Sequence, residues 1–355
     1  MATGADASVA RRLPAEWEPQ SGVLLTWPRS DGPWASMLAP VERVFTHLAC
    51  EISQRERVLI VAADAAHQAH VRGLIATAGG VLRRVTIAVA PSNDIWARDH
   101  GPITVETAAG PLLLDFTFNG WGNKFPAERD NRITGELAAA GCFGQTPVET
   151  AAMVLEGGSI DTDGAGTLLT TSHCLLQASR NPELDRAGIE ARLRALLGIE
   201  RVLWLDHGAL AGDDTDSHID TLARFADSGT ILYQDCADPQ DENLSDIKRM
   251  ESELEALVDA DQAPYRLVPL PSPKPIHNAR GQRLPASYAN FLVINGAVLV
   301  PAYDDPADET ARELIAGCFP GRDTIAIDCL PLIHQFGSLH CVTMQLPEGV
   351  LGTDE

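Results

Sequence analysis

"RVLIVAAD", residues 57–64, is an apolar run that closes on an aspartate. Its length and its Val and Ile content read as a strand buried on both faces rather than as a helix. The sequence on either side supports that reading. Over residues 40–54, Val41, Val44, Leu48 and Ile52 recur at helical spacing behind Pro40, a residue suited to a first turn. A second helix is expected at about 65–77, then the strand "VTIAVAP" (85–91). Short strands flank the turn at Ala109 and Gly110. Further helices are expected near 184–197, 243–258 and 308–317, and strands at 201–205, 229–235, 265–270, 291–300 and 341–346. Strands and helices alternate throughout, so the fold class is α/β.

The length, 355 residues, allows two or three domains. Lysine and arginine number 27 against 49 acidic residues, so the formal charge is 27 − 49 = −22. Such a field repels nucleic acid and anionic membrane and attracts cations, although solubility alone also accounts for it. No stretch approaches the ~18–20 apolar residues of a membrane span, and the first residues lack a signal-peptide pattern. A cytoplasmic location is therefore expected. Cys50, Cys142, Cys174, Cys236, Cys318, Cys329 and Cys341 are odd in number and scattered, with no C-x-x-C. This argues against a disulfide framework and a structural zinc site, and for mostly buried inert thiols. The proline-rich "PLPSPKPIHNARGQRLP" (269–285) suits a surface loop and a lid over a pocket equally.

A pattern of strand, polar turn, strand, helix and strand recurs, and unusual residues gather in the turns. These are "NDIWARDHGP" (93–102), "LEGGSID" (155–161), "DDTDSHID" (213–220) and "GSLHC" (337–341). The layout suggests similar units whose turns converge on one site. Trp96 and Asp99 could offer a flat cation a ring face and a carboxylate. Equally, Trp96 could be core, with Asp99 capping a helix or pairing with Arg98. Glu156 precedes two glycines, which permit close backbone approach, yet by itself it could be an ordinary loop residue. His218 and Asp220, two apart, face the same way if the backbone is extended. A metal site there lacks a third ligand at tight spacing, and an EF-hand lacks its glycine and final glutamate. Asp213, Asp214 and Asp216 suit a solvated turn. Cys341 enters a strand behind a glycine and a serine. A thiol, a histidine and surplus carboxylates in turns of one kind favour nucleophilic catalysis on a cationic substrate.

Seven stretches resemble the agmatine deiminase family, bacterial peptidylarginine deiminase-like enzymes of the guanidine-modifying (pentein) superfamily. They are "LPAEWEPQSGVLLTWP" (13–28), "NDIWARDHGP", "FNGWGNKF" (118–125), "LEGGSIDTDGAGTLLTTSHCLLQASRNP" (155–182), "GDDTDSHIDTLARF" (212–225), "SYANFLVINGAVLVPAYDD" (287–305) and "GSLHCVTMQLP" (337–347). The resemblance implies a five-bladed α/β propeller with pseudo-fivefold symmetry. It also implies one catalytic domain over 1–355, with residues 1–12 flexible. It implies Cys341 as nucleophile, His218 as general acid and base, Asp99 and Asp220 as guanidinium clamp, Glu156 as support and Trp96 as packing aromatic. Trp121 and Phe336 are expected to line the substrate site. The implied partner is a small guanidino cation, agmatine first, within polyamine biosynthesis. No cofactor, no metal, no nucleic acid and no membrane is called for, and a homodimer is left open.

Two departures bear on the substrate. Gln335 and Phe336 stand where the family often has glycines before the "HC" pair. After "FNGWG" the chain carries "NKFPAERDNRITGEL" (123–137) instead of an aromatic- and Asp-rich segment. Alternatives are a peptidylarginine deiminase, an amidinotransferase or a non-catalytic binding protein. Three carboxylates placed near Cys341 also disfavour a thiolate in the free protein, so the substrate cation is expected to assist its ionisation.

Overall fold

The structure is a computed structural model that describes residues 10–352. Among them lie five β-sheets that share one plan. In each, an antiparallel hairpin is followed by a crossover helix and a third strand parallel to the hairpin's second. The first unit runs Ile103–Thr107, Gly110–Thr117, helix Ile133–Ala139, Val148–Val154. The second runs Ile160–Thr162, Thr167–Thr171, helix Arg186–Leu197, Arg201–Leu205. The third runs Ala223–Asp227, Thr230–Gln234, helix Leu244–Ala256, Arg266–Leu270. The fourth runs Leu292–Ile294, Ala297–Ala302, helix Asp308–Cys318, Asp323–Asp328. The fifth joins the two ends of the chain. Thr343–Pro347 pairs antiparallel with Gln20–Thr26, then helix Leu38–Ser53 crosses to Arg57–Ala62, and Val85–Val89 adds a fourth strand.

The apolar run at 57–62 has a direct structural cause. Val58 and Ile60 enter one core with Val23, Leu25, Val41 and Leu48, while Leu59 and Val61 enter another with Leu24 and Leu346. Both faces are covered, so no position alternates to polar. Each such Val or Ile contributes about 1.5–3 kcal/mol on burial.

Two sequence expectations need correction. The strand expected at 291–300 is a hairpin, Leu292–Ile294 and Ala297–Ala302, turning at Asn295 and Gly296. Gly296 has φ of 73°, and Asn-Gly is the strongest short hairpin signal. The flexible segment expected at 1–12 lies mostly outside the described residues. At its end, however, Arg11–Arg12 form a short strand against Glu106 and Thr107, and Arg12 is clamped by Glu18 and Glu106.

What positions the site is a short turn ahead of each unit's first strand. The helical turns Ala97–His100, Gly157–Ser159, Ile219–Thr221 and His340–Val342 precede units one, two, three and five. The turn Ala97–His100 packs on both Gly157–Ser159 and His340–Val342, and Gly157–Ser159 packs on Ile219–Thr221.

Candidate active site

The converging turns bring Asp99, Glu156, His218, Asp220 and Cys341 together, all buried. The condition for His218 and Asp220 to face the same way, an extended backbone between them, is not met: His218 has φ −56° and ψ 134°, but Ile219–Thr221 is a helical turn. The His218 ring lies between two other units. Nδ1 is 3.6 Å from Asp99 and Nε2 is 3.9 Å from Glu156. Nε2 is buried and has no hydrogen-bond partner among the described residues. Burial alone would lower the imidazole. The Asp99 charge, Cys174 and the Glu156 charge together outweigh it, and His218 is held well above its ordinary range.

Asp99 accepts hydrogen bonds from the Gly158 backbone N–H (3.0 Å) and from Trp121 Nε1 (2.9 Å). Its carboxyl is pushed up to about 6, first by burial and then by the neighbouring charges of Asp220 and Glu156, against the opposing pull of His218 and Trp121. Arg98 does not pair with Asp99; it turns the other way, to Glu16 and Gln345. A methyl group on Gly158 would stand 2.6 Å from His218 and 2.8 Å from Asp99, so only glycine fits between them.

Glu156 lacks a basic neighbour in sequence but not in space. Arg180, which is 24 residues on, donates Nε to both its oxygens at 3.0 and 2.9 Å. The same guanidinium reaches Asp216 and the Thr215 carbonyl. Asp216 also binds Lys124 (2.8 Å), and Asp213 accepts from Thr215 and Ser217. These carboxylates therefore lock the turn in place, beyond merely solvating it. Glu156, Cys174 and His218 offer three potential metal ligands within 4.8 Å of one another. A divalent ion there would meet the Arg180 guanidinium already bound to Glu156, so the donor set does not suit one.

Cys341 Sγ is 3.4 Å from Asn290 Oδ1 and 3.9 Å from Asp220 Oδ2. Its thiol is held well above the usual cysteine range, first by burial and then by the Asp220 and Asp99 charges. The direction is the expected one, but desolvation outranks the carboxylates as its cause. Asn290 was missed by the sequence reading. It belongs to the fourth unit's turn, is fully buried, and accepts from the His340 and Cys341 backbone N–H groups while donating to the Asp220 carbonyl. Glu16 and His340 were missed as well. His340 Nδ1 faces Asp220 Oδ2 at 2.8 Å and its Nε2 faces Glu16 Oε2 at 2.6 Å.

Trp96, Asp99, Trp121, Phe336 and Cys341 line one pocket, with Asp94, Asp214, Phe125 and Gln335 toward its more exposed side. No residue of the 269–285 loop lines it. That loop is fastened elsewhere, Arg283 to Asp241 and the Lys274 N–H to Asp305. Of the seven non-glycine residues with positive φ among the described residues, Trp121 and Phe336 line the pocket, and Asn123, Asp216 and Ser217 lie within two residues of ones that do. Such backbone costs about 1–3 kcal/mol per residue and must be held by its surroundings. Trp121 is held by its bond to Asp99 and by edge-on contacts with Phe118 and Phe125. Gly337 has no room for a Cβ, which would stand 2.1 Å from the Trp96 ring. The glycine beside Phe336 thus seats an aromatic wall rather than leaving space for a ligand.

Among known proteins, the agmatine deiminase of Ectopseudomonas mendocina is 34% identical, covering 94% of this chain and 95% of its own. A cysteine-to-serine variant of C. jejuni agmatine deiminase, solved with substrate bound, is 32% identical with a TM-score of 0.89, covering 98% of this chain and all of its own. A Porphyromonas gingivalis structure provisionally assigned as an arginine deiminase is 50% identical with a TM-score of 0.91, covering 96% and 100%. Residues 12–347 match the model of the Porphyromonas-type peptidyl-arginine deiminases, and the chain belongs to that family.

Proposed function

We propose that the protein is an agmatine deiminase, a hydrolase that converts agmatine and water to N-carbamoylputrescine and ammonia. The observation that carries the reading is one pocket holding the Cys341 thiol, the Asp99 carboxylate and the Trp96 and Trp121 rings, with two further carboxylates, Asp94 and Asp214, on its outer wall. Asp94 is pushed up to about 6 by burial, which Trp34 and Arg29 only partly offset. Asp214 is pushed up to about 7, by burial and then by Asp213, against Lys124. Agmatine carries a cation at each end. Its guanidinium suits Asp99 and Asp220, and its amine suits the outer carboxylates.

The chemistry follows from these positions. Two carboxylates hold the guanidinium nitrogens and fix the carbon within reach of Cys341. The arriving cation reverses the local field, so the thiol loses its proton more readily while His218 remains an acid. The thiolate adds to the carbon. His218 protonates the departing nitrogen, ammonia leaves, and an amidino-thioether remains. His218 then takes a proton from water, which attacks the same carbon. The thiolate leaves and the ureido product forms. The reading calls for no cofactor and no metal. It places the work in one catalytic domain, a five-bladed propeller of pseudo-fivefold symmetry, in a cytoplasmic enzyme of polyamine biosynthesis. Homodimer formation stays open.

A second reading is arginine or peptidyl-arginine as substrate, favoured by the 50% identical relative's provisional assignment. Against it, Asp94 and Asp214 would repel an α-carboxylate, and Phe336, Trp121 and Phe125 crowd the entrance that a peptide would need. Ammonia release from agmatine, 1-butylguanidine, arginine and a peptidyl-arginine separates the two. Agmatine should have the highest kcat/KM; a preference for arginine or the peptide overturns the reading.

A further inference from the structure

Asp220 is fully buried, yet its two oxygens are treated differently. Oδ2 is held by His340 Nδ1 at 2.8 Å, while Oδ1 has no hydrogen-bond partner among the described residues. An unsatisfied buried carboxylate oxygen is costly and calls for an explanation. Behind His340 the chain continues to Glu16, which is itself buried. A histidine whose two ring nitrogens both face ionised carboxylates donates from both, and that form is the imidazolium. We infer that Glu16 and His340 are positioning residues for catalysis. Through the Glu16–His340–Asp220 chain they keep Asp220 ionised and turn one of its oxygens to the substrate cation. The inference rests on the reading of Asp220 as a guanidinium clamp.

The surrounding charges are consistent with it. Glu16 also meets Arg98 at 3.3 Å and Arg224 at 3.2 Å, and accepts from the Val293 N–H. Burial would raise Glu16, but His340, Arg224 and Arg98 hold it far below the carboxylate range. Asp161 takes up Arg224 Nε from the other side, while Glu56 and Arg322 stand farther off. Around Asp220 the remaining titratable groups are His218, Asp99, Cys341, Arg98 and Arg224. Burial would raise Asp220 too. The hydrogen bond and charge of His340 come next in size and, with His218 and Arg224, bring it below its ordinary value. Asp99 has His218 at 3.6 Å, but that charge does not offset burial and the Asp220 and Glu156 charges, and it is pushed up to about 6.

The sign of the effect follows. Without the imidazolium, burial raises Asp220, and its charge is lost as pH falls through the new value. A guanidinium then binds poorly at low pH and recovers at high pH. In the parent, Asp220 stays ionised across that range. Asp99 and His218 titrate in parent and variant alike, so the affinity ratio of the two isolates Asp220.

The test measures agmatine binding by calorimetry between about pH 5.5 and 8.5 in the Cys341→Ser protein, which does not turn over. Three further changes are added to it one at a time: His340→Gln, Glu16→Gln and Asp220→Asn. The ratio of parent to His340→Gln affinity should be largest at low pH and shrink as pH rises, by about tenfold for each unit of Asp220 shift. Glu16→Gln keeps an acceptor for His340 and should show the same trend with smaller amplitude, so the idea survives a His340 variant that fails to fold. Asp220→Asn should lose binding at every pH. A ratio that is flat with pH in both relay variants, or full affinity in both, overturns the relay. Full affinity in Asp220→Asn overturns the clamp itself, which is a separate outcome.

Discussion

The floor of the site and its outer wall hold carboxylates in opposite states. On the floor each carboxylate has a buried basic side chain against it: Glu156 has Arg180, Glu16 has Arg98 and Arg224, and Asp220 has His340. Around the pocket, Asp94, Asp99 and Asp214 are pushed up to about 6, 6 and 7, because burial outweighs the partners each has: Trp34 and Arg29 for Asp94, His218 and Trp121 for Asp99, and Lys124 for Asp214. The floor is balanced by the protein itself. The wall is balanced only when a cation arrives, and agmatine brings two. A net charge of −22 draws such a ligand in, but the wall decides where it stops.

The largest effect should fall on the nucleophile. Cys341→Ser should lower kcat by roughly 10⁴-fold or more, the scale of losing a nucleophile from a catalytic unit. A haloacetamidine should label Cys341 and spare the other six thiols, seen by mass spectrometry. Labelling spread over several cysteines would show that the site does not single out Cys341.

Next come Asp220 and Asp99, the two residues proposed to clamp the guanidinium. Asp220→Asn removes the charge that His340 Nδ1 faces, leaving His340 only Glu16, and should cost about 3–5 kcal/mol in kcat/KM and measurable thermal stability. Asp99→Asn removes a carboxylate whose ionisation was already disfavoured. It should cost kcat/KM comparably but stability little, or even raise it. Equal losses of Tm in both variants would erase the distinction between the regions.

Smaller effects probe the wall itself. Gly337→Ala forces a methyl group onto the Trp96 ring and should cost about 1–3 kcal/mol of stability, with a raised KM. Asp94→Asn and Asp214→Asn should each weaken agmatine by roughly 0.5–1.5 kcal/mol while leaving 1-butylguanidine nearly unchanged, since that ligand lacks the second cation. If both ligands weaken alike, the outer carboxylates do not read the amine.

Much of this was legible in the sequence, and the exceptions share a cause. Four of the five crossover helices, many of the strands and four of the five turns follow from local pattern, because apolar run length and helical spacing are short-range signals; the helix Ile133–Ala139 and the strands Gln20–Thr26, Val148–Val154 and Asp323–Asp328 were not read. The fifth turn, at Asn290, was passed over because asparagine carries no charge to draw notice. The spacing of the other units would have pointed to it. Glu16 and His340 escaped for another reason. Each is unremarkable alone, and their partnership spans 324 residues, from the first strand region to the last. Arg180 escaped as a partner of Glu156 in the same way. Charge balance in this fold is made between units, and local sequence does not carry it. Asp214 looked like a turn former because "DDTD" usually is one; its place on the pocket wall beside Trp96 and Phe336 comes from distant units and is not carried by local sequence.

The contrast between floor and wall is tested most directly by counting protons when agmatine binds. Calorimetry of the Cys341→Ser protein, in buffers of different ionisation enthalpy, gives that number. Below the raised values of Asp94, Asp99 and Asp214 the free wall holds protons, and an incoming dication must displace them. The account predicts net proton release near pH 6, shrinking toward pH 8 as those carboxylates become ionised beforehand, and reduced near pH 6 by Asp94→Asn. No exchange at either pH, or net proton uptake near pH 6, would mean that the wall is already charged in the free protein, and would contradict it.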